Sequence, residues 1–255
     1  MARQPSGPPP PPTVQKLRLR YAKRGRLRFA SHRDLARALE RALRRARVPM
    51  AFSAGFSPHP KISYLGAAPT GAASEAEYVE IGLAVRCDPE QVRAALDAAL
   101  PEDVAVLDCV EAQEGTGSLA DRIDAAVWRV ELPGVPEDEL ARAVETFLAA
   151  DVVTVAKRTK NGLKDVDARV AVTGASTSAG AGCAILHMVV RQVTPAVRPD
   201  DVLAALGAVA DLRPPLPPRA VREAQGRLDD SGTVADPLAP DRTTVAPDQE
   251  APAAV

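Results

Sequence analysis

Short stretches of the chain alternate apolar and polar residues with period two, and others repeat apolar positions every three to four residues. Val14 to Tyr21 alternates apolar with basic residues, the pattern of a half-buried strand. Gly25 marks a turn, and Leu27-Arg28-Phe29 resumes the alternation, which places Arg24, Arg26 and Arg28 on the opening strands. Ser31 offers an N-cap hydroxyl with Asp34 three residues on, a capping-box spacing. The helix that follows puts Leu35, Ala38, Leu39, Ala42, Leu43 and Ala46 on one face. Arg33, Arg37, Arg41, Arg44 and Arg45 take the other, and Pro49 limits its continuation. Glu75 to Val85 alternates again, Asp88-Pro89-Glu90 caps a helix reaching about Leu100, and Val104 to Val110 closes the unit as a strand.

The second half repeats this grammar less clearly. Val127 to Leu132 reads as a strand, Pro136 to Ala150 as an amphipathic helix, Cys183 to Val193 as a strand, and Pro199 to Val209 as a last helix. Asn161-Gly162, between Val152–Lys160 and Leu163–Val172, is the strongest hairpin signal in the chain. The fold expected is α+β, as two tandem ferredoxin-like (split βαβ) units over 14–112 and 125–212. Fourteen of the 24 prolines lie in residues 1–12 or 214–255. A Pro-rich head at 1–13 and an acidic Pro/Ala-rich tail at 213–255 therefore read as disordered, with too little apolar surface to offset ordering entropy.

Composition narrows the class. Of the 255 residues, 48 are Ala and only eight aromatic, so the core must rest on Val, Leu and Ala. No apolar run is long enough to span a membrane, and the polar start does not read as a secretory leader. Cys87, Cys109 and Cys183 are widely spaced and odd in number, which fits a reducing, cytoplasmic setting better than a disulfide framework. P-loop, dinucleotide-fold, nucleophile-elbow and HExxH motifs are absent from the sequence, as is close His spacing for a metal. No metal or cofactor is expected.

Charge changes the picture most. The formal net charge is −1, yet Lys16 to Lys61 holds fourteen basic residues and two acidic, while 62–151 holds five basic and nineteen acidic. Either the basic lobe serves a polyanion, with RNA the first candidate, or the two segments face and neutralise each other. Candidate nucleic-acid contacts are Arg24, Arg26, Arg28, Arg33, Arg37, Arg41, Phe56, Lys61, Lys160 and Lys164, with Phe52 a second stacking aromatic. His59, held between Pro58 and Pro60, is the candidate general acid or base of a metal-independent endoribonuclease, with His32 or Lys61 assisting. A rigid Pro-stiffened loop whose His59 hydrogen-bonds backbone groups is favoured over catalysis, and a binding role is also favoured over a catalytic one, so the chain reads as a binding or accessory module rather than an enzyme. A protein-interaction adaptor docking an acidic partner is the third reading. His187, in an apolar strand, reads as a satisfied strand histidine.

Three segments also carry a resemblance. Leu17 to Lys23 with Leu27 to Leu35, Phe52 to Ile62, and the Arg158 to Arg169 hairpin resemble the uncharacterised radical SAM-linked protein family. The resemblance covers about residues 14 to 212. It implies an accessory role in RNA metabolism or modification beside a radical SAM protein or a ribonuclease E/G. The three cysteines of this chain cannot form a C-x-x-x-C-x-x-C triad, so any cluster chemistry belongs to the partner.

Overall fold

A computed structural model describes residues 10–159 and 162–242. In chain order the elements are β1 (Gln15–Lys23), α1 (His32–Arg45), β2 (Ile62–Leu65), β3 (Ala73–Leu83), α2 (Pro89–Ala99), β4 (Val104–Glu111) and β5 (Ala125–Pro133). There follow α3 (Glu137–Ala149), β6 (Thr154–Thr159), β7 (Gly162–Asp167), β8 (Val172–Gly180), β9 (Cys183–Arg191), α4 (Pro199–Ala210), β10 (Arg219–Leu228) and β11 (Val234–Ala235). The fold is mixed α+β: a nine-stranded sheet of order β4-β1-β3-β10-β5-β9-β8, with β2 also on β3 and β11 also on β10, and four helices.

The two halves repeat one strand order within this sheet. The first runs β4-β1-β3-β2 and the second β10-β5-β9-β8, antiparallel throughout. They meet where β10 pairs parallel with the start of β3, Val221 opposite Ala73 and Arg222 opposite Ser74. Alternation sorts each strand's side chains between two faces. In the first half Leu17, Leu19, Val79, Ile81 and Leu83 pack under Leu35, Leu39 and Leu43 of α1 and Val92 and Leu96 of α2. In the second, Trp128, Val130, Leu132, Leu186 and Met188 pack against Leu140, Val144 and Phe147 of α3 and Val202 and Leu206 of α4. The opposite face of the first half is covered without an α-helix: Ala76 and Tyr78 pack against Leu119, Ile123 and Leu238, which flank two short 3-10 turns.

Sequence and structure differ most at three places. Residues 213–242 are not without order, because β10 is a central strand and Leu238 is fully buried. Its small residues hid it: a Cβ at Gly226 would lie 1.8 Å from the Ala235 carbonyl oxygen, so bulk is excluded where apolar bulk would have signalled a strand. Head residues 1–9 and tail residues 243–255 lie outside the described residues. Leu27 to Phe29 is not strand either. Gly25 to Phe29 forms a 3-10 turn, with Gly25 at φ +46° and the Arg26 N–H donating to the Asp103 carboxylate at 2.9 Å. Finally β8 is a full strand although its Ser, Ala and Gly residues carry almost no apolar alternation.

Candidate nucleic-acid interface

α1 carries most of the exposed arginines among the candidate contacts. The Ser31 hydroxyl accepts the Asp34 N–H at 3.3 Å and donates to the Asp34 carboxylate at 2.7 Å, closing the expected cap. That hydroxyl, followed by the nearby charges of Arg37 and Arg41, holds the Asp34 carboxyl below its ordinary range. Arg33, Arg37, Arg41, Arg44 and Arg45 are exposed along the outer face, and Arg47 follows in a left-handed conformation at φ 54°. Residues three and four apart on a helix are neighbours, so this is one continuous cationic strip. Among the described residues none of these arginines lies in an ion pair; only Arg45 has a side-chain bond, to the Ala99 carbonyl at 3.0 Å.

Three other basic residues of the same segment are neutralised by carboxylates. Lys16 and Arg18 both pair with Glu80, at 3.2 and 3.0 Å, and Arg24 forms a two-pronged pair with Glu75 at 2.7 and 2.5 Å. Arg18 goes further. It is buried and shares the Asp241 carboxylate with Arg122, at 2.8 and 2.5 Å. Burial opposes a charge on Asp241, but the hydrogen bonds from Arg122 and Arg18 overcome it and bring the carboxyl to about 2. Glu80 of the acidic middle and Asp241 of the tail thus answer charges on the sheet side of the basic lobe, while α2 packs beside α1 on the other side without an ion pair to its arginines among the described residues.

The Phe52 to Lys61 segment divides between these two sides. Ser53 and His59 close the loop, the Ser53 N–H donating to the His59 carbonyl at 2.9 Å and the His59 N–H to the Ser53 hydroxyl at 3.0 Å. Phe52 lines a small apolar cavity with Glu40, Leu43 and Arg44 of α1, so it adjoins the cationic strip. Phe56 is 70% exposed at the loop tip. Lys61 turns the other way. Its Nζ donates to the Thr13 hydroxyl at 2.9 Å, and it lines a cleft of about 360 Å³ with Lys16, Ser63 and Glu80 on the helix-free face. β2 pairing explains the split, because Ile62 and Tyr64 face the helices and their neighbours must face away.

The candidate catalytic groups are therefore not gathered. His32 packs edge-on against Tyr64 with ring centroids 5.2 Å apart, while the His59 imidazole is exposed and makes no hydrogen bond among the described residues. His187 is on β9, within 3.1 Å of the Ser178 hydroxyl. Cys109 is buried, which pushes its thiol up to about 12 and makes it a poor nucleophile. No group of three or more His, Cys, Asp or Glu suited to a metal occurs among the described residues, and no helix there is long and apolar enough to cross a membrane.

Of the remaining candidates, Arg26 is exposed without an ion-pair partner among the described residues, and Arg28 lies over the Phe29 ring at 4.6 Å. Lys164 is exposed on the β6–β7 hairpin, a separate two-stranded sheet anchored by Lys157 to Asp201; Lys160 lies outside the described residues. Sequence reasoning passed over Phe29, which is 59% exposed, and Arg47, which sits just past the helix end. An aromatic directly after a basic run was the available signal for Phe29.

A family model described as an uncharacterized protein conserved in bacteria (DUF2344) matches residues 16–199. No curated protein matches the chain.

Proposed function

The chain belongs to this family of uncharacterised bacterial proteins, and from its surface we propose that it is a non-catalytic RNA-binding accessory protein. The observation that supports this most is the α1 strip of arginines without ion-pair partners among the described residues, in a segment whose Lys16, Arg18 and Arg24 are paired with carboxylates. Exposed unpaired arginines at helical spacing match the repeating charge of a phosphate backbone, and Phe56 adds a stacking surface for an unpaired base. The resemblance of the opening motifs to the radical SAM-linked family supplies the accessory part of the reading: a radical SAM protein or a ribonuclease E/G acts on the RNA that this chain holds. The strand order shared by the two halves supports a scaffold of two ferredoxin-like units, and three cysteines outside any disulfide suit the cytoplasm.

RNA binding measured by fluorescence anisotropy across a salt series tests the reading. Affinity should fall steeply with salt, and the Arg37→Glu/Arg41→Glu double variant should bind on the order of tenfold more weakly or worse with a shallower salt slope. Binding absent at low salt, or unchanged in the double variant, overturns it. Incubation with labelled RNA in EDTA separates the endoribonuclease reading, which requires cleavage that His59→Ala abolishes. A protein partner retained after nuclease treatment instead favours the adaptor.

A further inference from the structure

A pocket of about 460 Å³ opens at the seam between the two halves, within the usual size range for small-ligand sites. Its wall is the loop 66–72, held from behind by side chains that rarely occur buried. Arg222 donates to the Gly66 carbonyl at 2.6 Å, Glu77 accepts the Ala68 N–H at 3.2 Å, and Lys23 Nζ donates to the Ala68 and Pro69 carbonyls at 3.3 Å each. Lys23 and Glu77 are each only 1% exposed, Arg222 and Glu77 pair at 2.5 Å, and burial lowers the Lys23 pKa. Three charges are expensive to desolvate, and here they fix the shape of one loop. The Gly71 N–H adds a bond to the Arg28 carbonyl at 2.8 Å, and Pro69, Pro133, Pro199, Pro217 and Pro218 stiffen the other walls. The pocket is therefore formed before any ligand arrives.

Three features of its lining select a ligand. Arg28 stacks its guanidinium on Phe29, and its buried Nε has no hydrogen-bond partner, so this arginine is used as a flat platform and not as half of an ion pair. Arg219 is a second cation with no ion-pair partner among the described residues. The Asp200 carboxylate is likewise unpartnered and accepts hydrogen bonds only. A purely apolar ligand would desolvate all three without compensation. A bare anion would meet Asp200 and leave the platform unused. A planar heterocycle that carries N–H donors and is linked to a phosphate satisfies the whole set.

We propose that this seam pocket binds a nucleoside monophosphate, its base on the Arg28–Phe29 platform with an N–H edge toward Asp200 and its phosphate on Arg219. The ligand is either a free nucleotide or an unpaired terminal nucleotide of RNA. The site stands apart from the α1 strip and does not depend on it.

Calorimetric titration of the full chain with AMP, GMP, CMP and UMP in turn, and with ribose 5-phosphate as the base-free control, tests the proposal. At least one nucleotide should bind saturably at one site, with ribose 5-phosphate about tenfold weaker or worse. Phe29→Ala, at an exposed position, and Arg28→Lys, which keeps the charge but loses the plane, should each weaken binding roughly tenfold. The Arg37→Glu/Arg41→Glu variant should bind the nucleotide as the parent does, which separates this site from the RNA strip. Displacement of the nucleotide by an RNA with a single-stranded end, and not by a blunt duplex, assigns the source to RNA; no displacement by either assigns it to the free nucleotide. Failure of all four nucleotides, equal binding of ribose 5-phosphate, or indifference to both platform variants overturns the proposal.

Discussion

Arg18 and Arg37 belong to the same basic segment and have opposite surroundings. Arg18 is buried on the helix-free face, where Glu80 and Asp241 answer its charge and Thr116 and the Gly117 carbonyl take its remaining hydrogens. Arg37 stands on the outer face of α1 with no ion-pair partner among the described residues. A charge inventory along the chain counts the two equally. Their difference lies in which sheet face each occupies and in the reach of the tail, which carries Asp241 to one face only. Neutralisation and openness are thus both correct descriptions of the basic lobe, each for one side of it.

The comparison is broken most severely at Asp241. Asp241→Ala leaves Arg18 and Arg122 buried without their shared carboxylate, and should destabilise the fold by about 3–5 kcal/mol in a urea titration. Arg37→Ala, measured in the same way, should move stability by no more than about 0.5 kcal/mol, because an exposed arginine without a partner contributes little to the folded state.

Acid attacks the same side. The Asp241 carboxyl falls from its ordinary 3.8 to about 2 on folding. A depressed carboxylate stabilises the native state above its unfolded pKa, and that stability is lost as pH falls through the folded value. Unfolding free energy should therefore decline between about pH 4 and pH 2. The Asp241→Asn variant, already weaker, should lose less across that window. An identical acid limb in parent and variant would remove Asp241 from the explanation.

RNA binding should show the reverse ranking. Arg37→Ala and Arg41→Ala should each lower the salt slope by close to one unit, as expected for one lost phosphate contact. Arg24→Ala should change affinity less than either, since Glu75 already holds Arg24; an equal loss would mean that the pair opens to bind. The smallest effect belongs to Phe56→Ala. It should leave stability within about 0.5 kcal/mol and reduce affinity severalfold for single-stranded RNA but not for duplex.

Much of this was legible in the sequence, and the failures have physical reasons. α1 announced itself through the Ser31–Asp34 cap and the repeat of Leu35, Leu39 and Leu43, all three of which are buried. The same repeat fixed which arginines point outward. Lys61 is close to His59 in sequence, but that proximity does not place the two side chains on one face. β2 is an extended strand, so a single residue decides the face, and that face is visible only once Ile62 is seen opposite Ile81. β10 was hidden for another reason. Its buried positions include Arg222 and Gln225, whose polarity is satisfied by Ser74, Glu77 and the Ala76 carbonyl from β3. A strand stabilised by hydrogen bonds to its neighbour carries no hydrophobic signature of its own. The seam pocket escaped because it is assembled from residues far apart in sequence, joined only when that strand is in place.

The late position of β10 also orders events in time. As the chain leaves the ribosome, β1, β3 and β4 can pair as soon as residue 111 has emerged. β5 must then wait with one edge bare until residues 219–228 follow, and exposed strand edges recruit foreign strands. Translation pauses within that interval, or early release of the chain, should therefore be more hazardous for this protein than the same interruption after β10 has docked.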